Sequence, residues 1–185
     1  MAVEELEQAI TVTRGVLAGV SKDQLGEDTP CAAWKVNGLI NHIVGAQYFF
    51  TASVNGAAPA TEEIDYASGD FVATFDEASQ QTLMAFGADG AMEKMLTLPF
   101  GQMPGAAFIG IATTDTFTHA WDLAKATGQN TDLNPALAAQ LLEASKQMIR
   151  PEFRSDDGAV FGPEQPAPAG ASSADQLAAF LGRSV

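Results

Sequence analysis

The sequence predicts an all-α protein, a four-helix bundle with additional helices at its C-terminal end. Six segments carry apolar residues at helical spacing, with polar residues between them. No segment shows the sustained alternation of apolar and polar residues that is typical of strands. With 185 residues, the chain is long enough to bury a substantial core, and it is interpreted as one domain spanning residues 1–185.

Four of these segments are predicted to form the bundle: Val3 to Val20, Val36 to Val54, Asp70 to Phe86 and Gly105 to Thr127. A loop, 22–33, which contains Pro30, separates the first two helices, and a connector, 55–69, of mostly small and polar residues leads to the third. Gly87 is a suitable C-terminal cap for the third helix, and Gly128 is a suitable stop for the fourth.

Two further helices are predicted after the bundle. Asn134 is the expected cap of a fifth helix, Pro135 to Ile149, because proline suits the first helical position. Ser172 or Ser173 is the expected cap of a short last helix. These helices are expected to pack against the bundle.

The fourth predicted helix carries polar side chains on the face that should be buried. Asp115 and His119 lie four residues apart and therefore share one face of the helix, and Asp122 lies one turn further on. Phe108 and Ala112 continue the same stripe, which normally packs inward. Burying an unpaired carboxylate costs several kcal/mol, so the stripe requires a cation, a hydrogen-bonding network or a water-filled cavity.

The second predicted helix carries the other of the two histidines in the chain. His42 lies beside Leu39 at the edge of the apolar stripe, where it can face a bundle interior. Two imidazoles and a carboxylate from two helices form a facial set with open positions, as in catalytic divalent-metal sites. On the residues alone, the alternatives are a hydrogen-bonded pair of Asp115 and His119 and a satisfied core histidine at His42.

Several motifs together resemble one known family. They are Thr29-Pro30-Cys31 with Trp34, His42 in the next helix, Asp115-x-x-x-His119-x-Trp121-Asp122 followed by Thr127-Gly128-Gln129, and the closing Leu177-x-x-Phe180-Leu181-Gly182-Arg183. This pattern spans most of the chain and is similar to the DinB/YfiT-like metalloenzymes, within them to the actinobacterial branch of mycothiol-dependent maleylpyruvate isomerase. The residues 92–103 alone allow either a short strand or an extended loop, and the resemblance favours the loop.

The resemblance implies that His42, Asp115 and His119 bind a divalent metal, and two imidazoles favour zinc or nickel over manganese. It also implies a low-molecular-weight thiol such as mycothiol as co-substrate. The isomerase has Glu where this chain has Asp115, and it carries a second domain that 185 residues cannot hold. Its reaction is therefore not carried over, and the expected partners are a small thiol and a small electrophile.

Other residues are interpreted around this site. Asp122 is expected either to accept a hydrogen bond from His119 and orient its imidazole, or to end the stripe at the bundle surface. Trp34 and Phe49 are candidate pocket walls. Cys31 precedes a helix, whose dipole can lower a thiol pKa and create a nucleophile. A buried, small apolar role in a packed turn fits Cys31 better.

Composition excludes several function classes. The formal net charge is −14, and nucleic acids and anionic membranes are bound through excess Lys and Arg, so neither is an expected partner. The single cysteine rules out an intrachain disulfide and indicates a reducing compartment. The acidic start, Met-Ala-Val-Glu-Glu, lacks the pattern of an export signal, so a cytoplasmic protein is expected. The oligomeric state is left open, with a homodimer as one alternative.

Two functional hypotheses follow. The first is a metal-dependent enzyme that uses a low-molecular-weight thiol in the transfer, isomerisation or hydrolysis of a small electrophile. The second is a non-catalytic, metal-stabilised bundle that binds a small ligand. This second hypothesis stands because the sequence offers no evident general base beyond the metal ligands, apart from Asp122 and Glu143. No catalytic residue is assigned from the sequence.

Overall fold

The computed structural model describes residues 2–32, 34–58, 63–155 and 161–185, so parts of both predicted connectors, residue 33 and residues 59–62, lie outside it. The helices in these ranges are α1 Ala2–Ala18, α2 Val36–Asn55, α3 Phe71–Gly87, α4 Gly105–Ala126, α5 Pro135–Met148 and α6 Ser173–Phe180. Two strands, β1 Met95–Leu98 and β2 Gly101–Pro104, lie between α3 and α4. The predicted helical bundle is confirmed.

The first four helices form the bundle. α1 packs against α3 and α4, and α2 packs against the same two helices, so α1 and α2 occupy opposite corners. Their apolar faces meet in a core whose largest buried side chains include Phe75, Phe86 and Phe108. Burying a side chain of this size stabilises the fold by about 1.5–3 kcal/mol. Because α2 and α4 are neighbours, polar side chains on their facing sides meet inside the bundle.

A second apolar layer forms where α5 packs against α1, and α6 packs against α4 and α5. Trp121 of α4 is fully buried in this layer, and its indole N–H donates to Asp175 Oδ1 at 2.8 Å. Trp121 is therefore a core anchor and not a pocket wall. With apolar layers on two sides, α4 is buried all round from Thr116 to Ala124. No helix of the described residues is both long and apolar enough to span a membrane.

The segment 92–103 contains most of a β-hairpin, so the loop favoured for it was wrong. β1 and β2 pair antiparallel, with Leu98 opposite Gly101 and with Phe100 in the turn between them. Leu96 and Leu98 are buried and alternate with exposed neighbours, but the pattern extends over only four residues. That length is too short to distinguish a strand from an extended loop. The hairpin brings Phe100 close to residues of α2 and α4.

Helix caps agree with the prediction at α5 and α6. The side chains of Asn134 and Ser172 each accept a hydrogen bond from the N–H three residues further on, at 3.2 and 3.0 Å. The predicted cap of α3 was wrong by one position. Gly87 is the last helical residue, and Ala88 is the extended residue that follows it. Gly87 is not among the residues with positive φ, so its conformational freedom is not used there.

Candidate metal centre

Helices α2 and α4 bring three metal-binding side chains together. His42 belongs to α2, and Asp115 and His119 belong to successive turns of α4. Asp115 Oδ1 lies 3.4 Å from His42 Nε2 and 3.5 Å from His119 Nε2. The ligand atoms of the three residues all lie within 4.8 Å of one another. The polar stripe of the fourth helix thus meets the other histidine across the contact between α2 and α4.

The donor set and its spacing fit a divalent ion. Bonds from zinc to imidazole nitrogen and carboxylate oxygen are about 2.0–2.2 Å long, so two tetrahedral ligand atoms lie about 3.3–3.5 Å apart. The two nitrogen–oxygen distances, 3.4 and 3.5 Å, match that spacing. Three protein ligands leave a tetrahedral position open, as in catalytic zinc sites. The three residues therefore fit a metal site, and metal binding stays a prediction.

Asp122 holds the other nitrogen of the His119 imidazole. Its Oδ2 lies 2.9 Å from His119 Nδ1, and its side chain is 0% exposed. The Nδ1–H of His119 therefore donates to this carboxylate, which leaves Nε2 facing Asp115. The burial of Asp122 is incompatible with the alternative in which it ends the stripe at the bundle surface.

Arg183 supplies the cation that the buried Asp122 carboxylate requires. Its Nε lies 3.2 Å from Asp122 Oδ1, and its Nη2 lies 3.0 Å from Asp122 Oδ2, so the pairing is bidentate. Arg183 belongs to the closing motif of the sequence, but no role was predicted for it. The available signal was the stripe itself, because a carboxylate buried beside a histidine calls for a cation elsewhere in the chain.

The turn that delivers Arg183 requires glycine. Gly182 follows α6 with φ of +95°, a conformation that is strained for other residues. A Cβ at Gly182 would also lie 2.8 Å from the Gly162 Cα. Beyond this turn the Arg183 N–H donates to the Ala178 carbonyl oxygen at 2.9 Å, which returns the chain towards α6. The glycine and arginine of the closing motif therefore act together in reaching Asp122.

Cys31 belongs to a second candidate set, with His119 and Asp122, whose ligand atoms also lie within 4.8 Å of one another. An ion in that set would need an oxygen of Asp122, and both oxygens are hydrogen-bonded to Arg183. Releasing them would leave a largely buried guanidinium without its partner, which is unfavourable. The set of His42, Asp115 and His119 is therefore the stronger candidate.

Trp34 packs directly on the two imidazoles. Its ring stacks on His42 with centroids 4.4 Å apart, and it meets His119 edge-on at 5.6 Å. The Thr29 hydroxyl lies 2.7 Å from the Trp34 carbonyl oxygen and donates to it, which helps to fix the loop before α2. The loop that carries the Thr29-Pro30-Cys31 motif therefore positions Trp34 over the two imidazoles.

A cavity of about 370 Å³ opens beside the three ligands. His42 and Asp115 line it together with Gly45, Ala46, Phe49, Phe50, Phe100, Phe108 and Ile111. Of the two residues predicted as pocket walls, Phe49 lines this cavity, whereas Trp34 stacks on His42. Because His42 and Asp115 both reach the cavity, an open coordination position of an ion between them would face it.

In the metal-free protein a proton provides positive charge at this site. Burial lowers the pKa of His119, but the carboxylates of Asp115 and Asp122 outweigh burial and raise this pKa to about 9. Burial raises the pKa of Asp115, but His119 and His42 outweigh burial and hold this pKa well below its usual range. At neutral pH, His119 is therefore an imidazolium between two carboxylates.

We expect metal binding to displace this proton. The apparent zinc affinity should therefore rise about tenfold per pH unit up to about pH 9 and then level off. The stability of the metal-free protein should change in the opposite direction, because the protonated His119 stabilises the fold fully below its unfolded pKa of 6.5 and this contribution is lost as the pH rises through about 9. Chelator competition and thermal unfolding over this pH range test both expectations. An affinity independent of pH would contradict the first.

Sequence comparison finds relatives over most of the chain. The family model of the mycothiol maleylpyruvate isomerase N-terminal domain matches residues 6–124. Two uncharacterised proteins of Mycobacterium tuberculosis, MT0763 of strain CDC 1551 / Oshkosh and Rv0738 of strain ATCC 25618 / H37Rv, are each 45% identical to the chain. Each match extends over 170 residues and covers 92% of this chain and 91% of the relative.

Structure comparison finds the same fold in solved proteins. Crystal structures of mycothiol-dependent maleylpyruvate isomerase match with a TM-score of 0.58 and, for a histidine-to-alanine variant of that enzyme, 0.60. Each match covers 79% of this chain and 70% of the isomerase chain, at 14% sequence identity. At that identity the likeness establishes the fold alone.

Proposed function

Since the chain belongs to the family of the mycothiol maleylpyruvate isomerase N-terminal domain, we propose that it is a metal-dependent enzyme with a low-molecular-weight thiol, mycothiol or a close analogue, as co-substrate. The reaction class is transfer, isomerisation or hydrolysis of a small electrophile. The observation that carries this proposal is the meeting of His42, Asp115 and His119 at one end of an apolar cavity.

A divalent ion at this site would lower the pKa of a thiol that reaches it, as zinc lowers the pKa of bound water to about 7. The protein's own part is to hold the three ligand atoms within 4.8 Å of one another and to keep a proton on His119 Nδ1 through Asp122. Trp34 packs on both imidazoles and covers part of their surface. Two imidazole ligands favour zinc or nickel.

The balance of charge also favours an anionic ligand. With neutral imidazoles, the two carboxylates of Asp115 and Asp122 and the guanidinium of Arg183 carry one net negative charge. A divalent ion would change this to one net positive charge, which a thiolate would neutralise. In a largely buried site, such neutralisation is favourable because charge is poorly screened there.

A non-catalytic, metal-stabilised ligand-binding bundle is the second candidate. Both oxygens of Asp122 are engaged by Arg183, and one of them also by His119. Glu143 is an exposed residue of α5 that pairs with Lys146 at 2.8 Å, so it does not take part in the site. Among the described residues of the site, a general base beyond the ligands is therefore lacking, which favours this alternative.

Cobalt substitution tests the proposal directly. Adding mycothiol, or a simpler cysteine conjugate, to the cobalt-substituted protein is expected to produce a sulfur-to-metal charge-transfer band. Thiol affinity should rise with pH, because the thiol loses its proton on binding. The metal-free protein and the His42→Ala variant serve as controls in which the band should be missing. If cobalt is confirmed in the site and millimolar thiol produces no band, the non-catalytic alternative is supported instead.

A further inference from the structure

The cavity beside the candidate metal centre is apolar except at the end formed by the ligands. His42 and Asp115 are its only polar lining side chains among the described residues, and the others are aromatic, aliphatic or glycine. Phe49 and Phe50 both meet Phe108 edge-on, with ring centroids 6.1 and 5.7 Å apart. These rings offer flat and edge surfaces of the kind that aromatic ligands contact favourably.

Apart from an ion held by the three ligands, whose one net positive charge the thiolate would neutralise, the described residues of the cavity offer no partner for a negatively charged substrate. None of the described residues that line it is Lys or Arg. Arg183 is bound to both oxygens of Asp122 and does not line the cavity. A substrate carboxylate would instead meet the carboxylate of Asp115 at the polar end of the cavity. Burying a charge without a partner is strongly unfavourable, so the lining selects against acidic substrates.

We propose that the electrophile bound by this site is an uncharged molecule with an aromatic or aliphatic body, and not a dicarboxylate. This inference rests on the proposed function and adds the substrate class to it. The solved relative is named for maleylpyruvate, which carries two carboxylates, so the proposal separates this chain from that enzyme in substrate. The electrophilic carbon would face the ligand end, and the apolar body would lie among Phe49, Phe100 and Phe108.

The size and polarity of the cavity also assign it to the electrophile and not to the thiol. Its volume of about 370 Å³ is near the lower end of small-molecule pockets, which measure about 300–1,000 Å³. That volume suits one ring with a short side chain. The sugar-bearing body of mycothiol is hydrophilic and would lose its hydrogen bonds to water among these side chains. The thiol is therefore expected to present its sulfur from outside the apolar part of the cavity.

Phe100 is the residue through which the cavity can be tested with least risk to the fold. It lies in the turn of the hairpin and is 60% exposed, yet it lines the cavity. Phe153 is a matched control, because it is 53% exposed and does not line the cavity. Exchanging either phenylalanine for serine removes an exposed ring and should leave the core intact.

Binding of unreactive probes to the zinc-loaded protein, measured by calorimetry or ligand-observed magnetic resonance, tests the proposal. We expect 3-phenylpropanol to bind, and Phe100→Ser to weaken this binding by about three- to tenfold through lost apolar contact. Phe153→Ser should leave it unchanged. Glutarate should bind no more tightly than acetate. Acetate is the control, because it reports only the coordination of one carboxylate to zinc.

The proposal is overturned if 3-phenylpropanol fails to bind, if Phe100→Ser and Phe153→Ser have equal effects on its binding, or if glutarate binds more than about tenfold tighter than acetate. The cobalt–thiol band, measured on the same preparations, distinguishes this failure from failure of the proposed function. A band together with a preference for glutarate overturns the substrate class alone. Binding of 3-phenylpropanol without a band supports the cavity assignment and overturns the thiol-dependent function.

Discussion

Replacing His119 with Ala is expected to remove nearly all bound metal, because its imidazole is one of the three proposed ligands and the chain has only one other histidine. Structural zinc sites with four ligands bind with about 10–16 kcal/mol, so losing one ligand should weaken binding about 100- to 1,000-fold. Elemental analysis after reconstitution and gel filtration measures the effect. Thr118→Ala is the matched control, because Thr118 is its buried neighbour and its hydroxyl has no hydrogen-bond partner within the described residues.

The same measurement separates the two candidate ligand sets, which share His119. His42→Ala and Asp115→Asn should also lose metal, whereas Cys31→Ser should retain it. The opposite result, with metal lost from Cys31→Ser and kept in His42→Ala, would move the site to Cys31, His119 and Asp122. Metal content unchanged in His119→Ala would show that neither set is correct. Metal content is the decisive readout, because removing His119 also leaves the buried carboxylate of Asp122 and the partly buried one of Asp115 less well compensated and lowers stability for that reason.

The bundle was predictable because its signals are local. Each helix repeats its apolar residues over several turns, and in α4 this repeat predicts which side chains share the buried face. Its polar stripe, Asp115 to Asp122, could be placed on one buried face from helical spacing alone. For α2, helical spacing indicated only that His42 can face the bundle interior, and its grouping with Asp115 and His119 was implied by the family resemblance.

The features that escaped prediction depend on contacts between distant parts of the chain. The pairing of Arg183 with Asp122 spans 61 residues and depends on the backbone turn at Gly182. The hairpin was missed because burial alternates over only four residues in β1 and does not alternate in β2. Phe100 lines the cavity because the hairpin folds back over α2, and no helical period includes it. Trp34 was a candidate cavity wall, but its ring stacks on His42 instead.

Arg183→Met is expected to cause the largest loss of stability among these variants, because it leaves the Asp122 carboxylate buried with His119 as its remaining charged partner. Breaking a buried ion pair from one side costs about 3–5 kcal/mol, and the imidazolium places the expected value near the lower limit. For a chain of this length, that corresponds to a fall in Tm of about 6–12 °C. Arg14→Met is the control, because Arg14 pairs with Asp76 at the exposed surface, where such pairs contribute about 0–1 kcal/mol.

A double-mutant cycle tests whether Arg183 acts through Asp122. If Arg183→Met destabilises the fold because it leaves the Asp122 carboxylate without its partner, adding Asp122→Asn should remove part of that loss. The double variant should then be destabilised by less than the sum of the two single variants. Metal affinity should also fall in Arg183→Met, because losing a group that helps to orient a ligating histidine weakens metal binding by about 10- to 100-fold. Arg183→Lys should recover only part of both effects, because lysine cannot form the two parallel hydrogen bonds. Equal stabilities of Arg183→Met and Arg14→Met, with metal affinity unchanged, would show that the closing segment does not support the site. The expected losses would instead extend the functional unit to Arg183, beyond the residues 6–124 matched by the family.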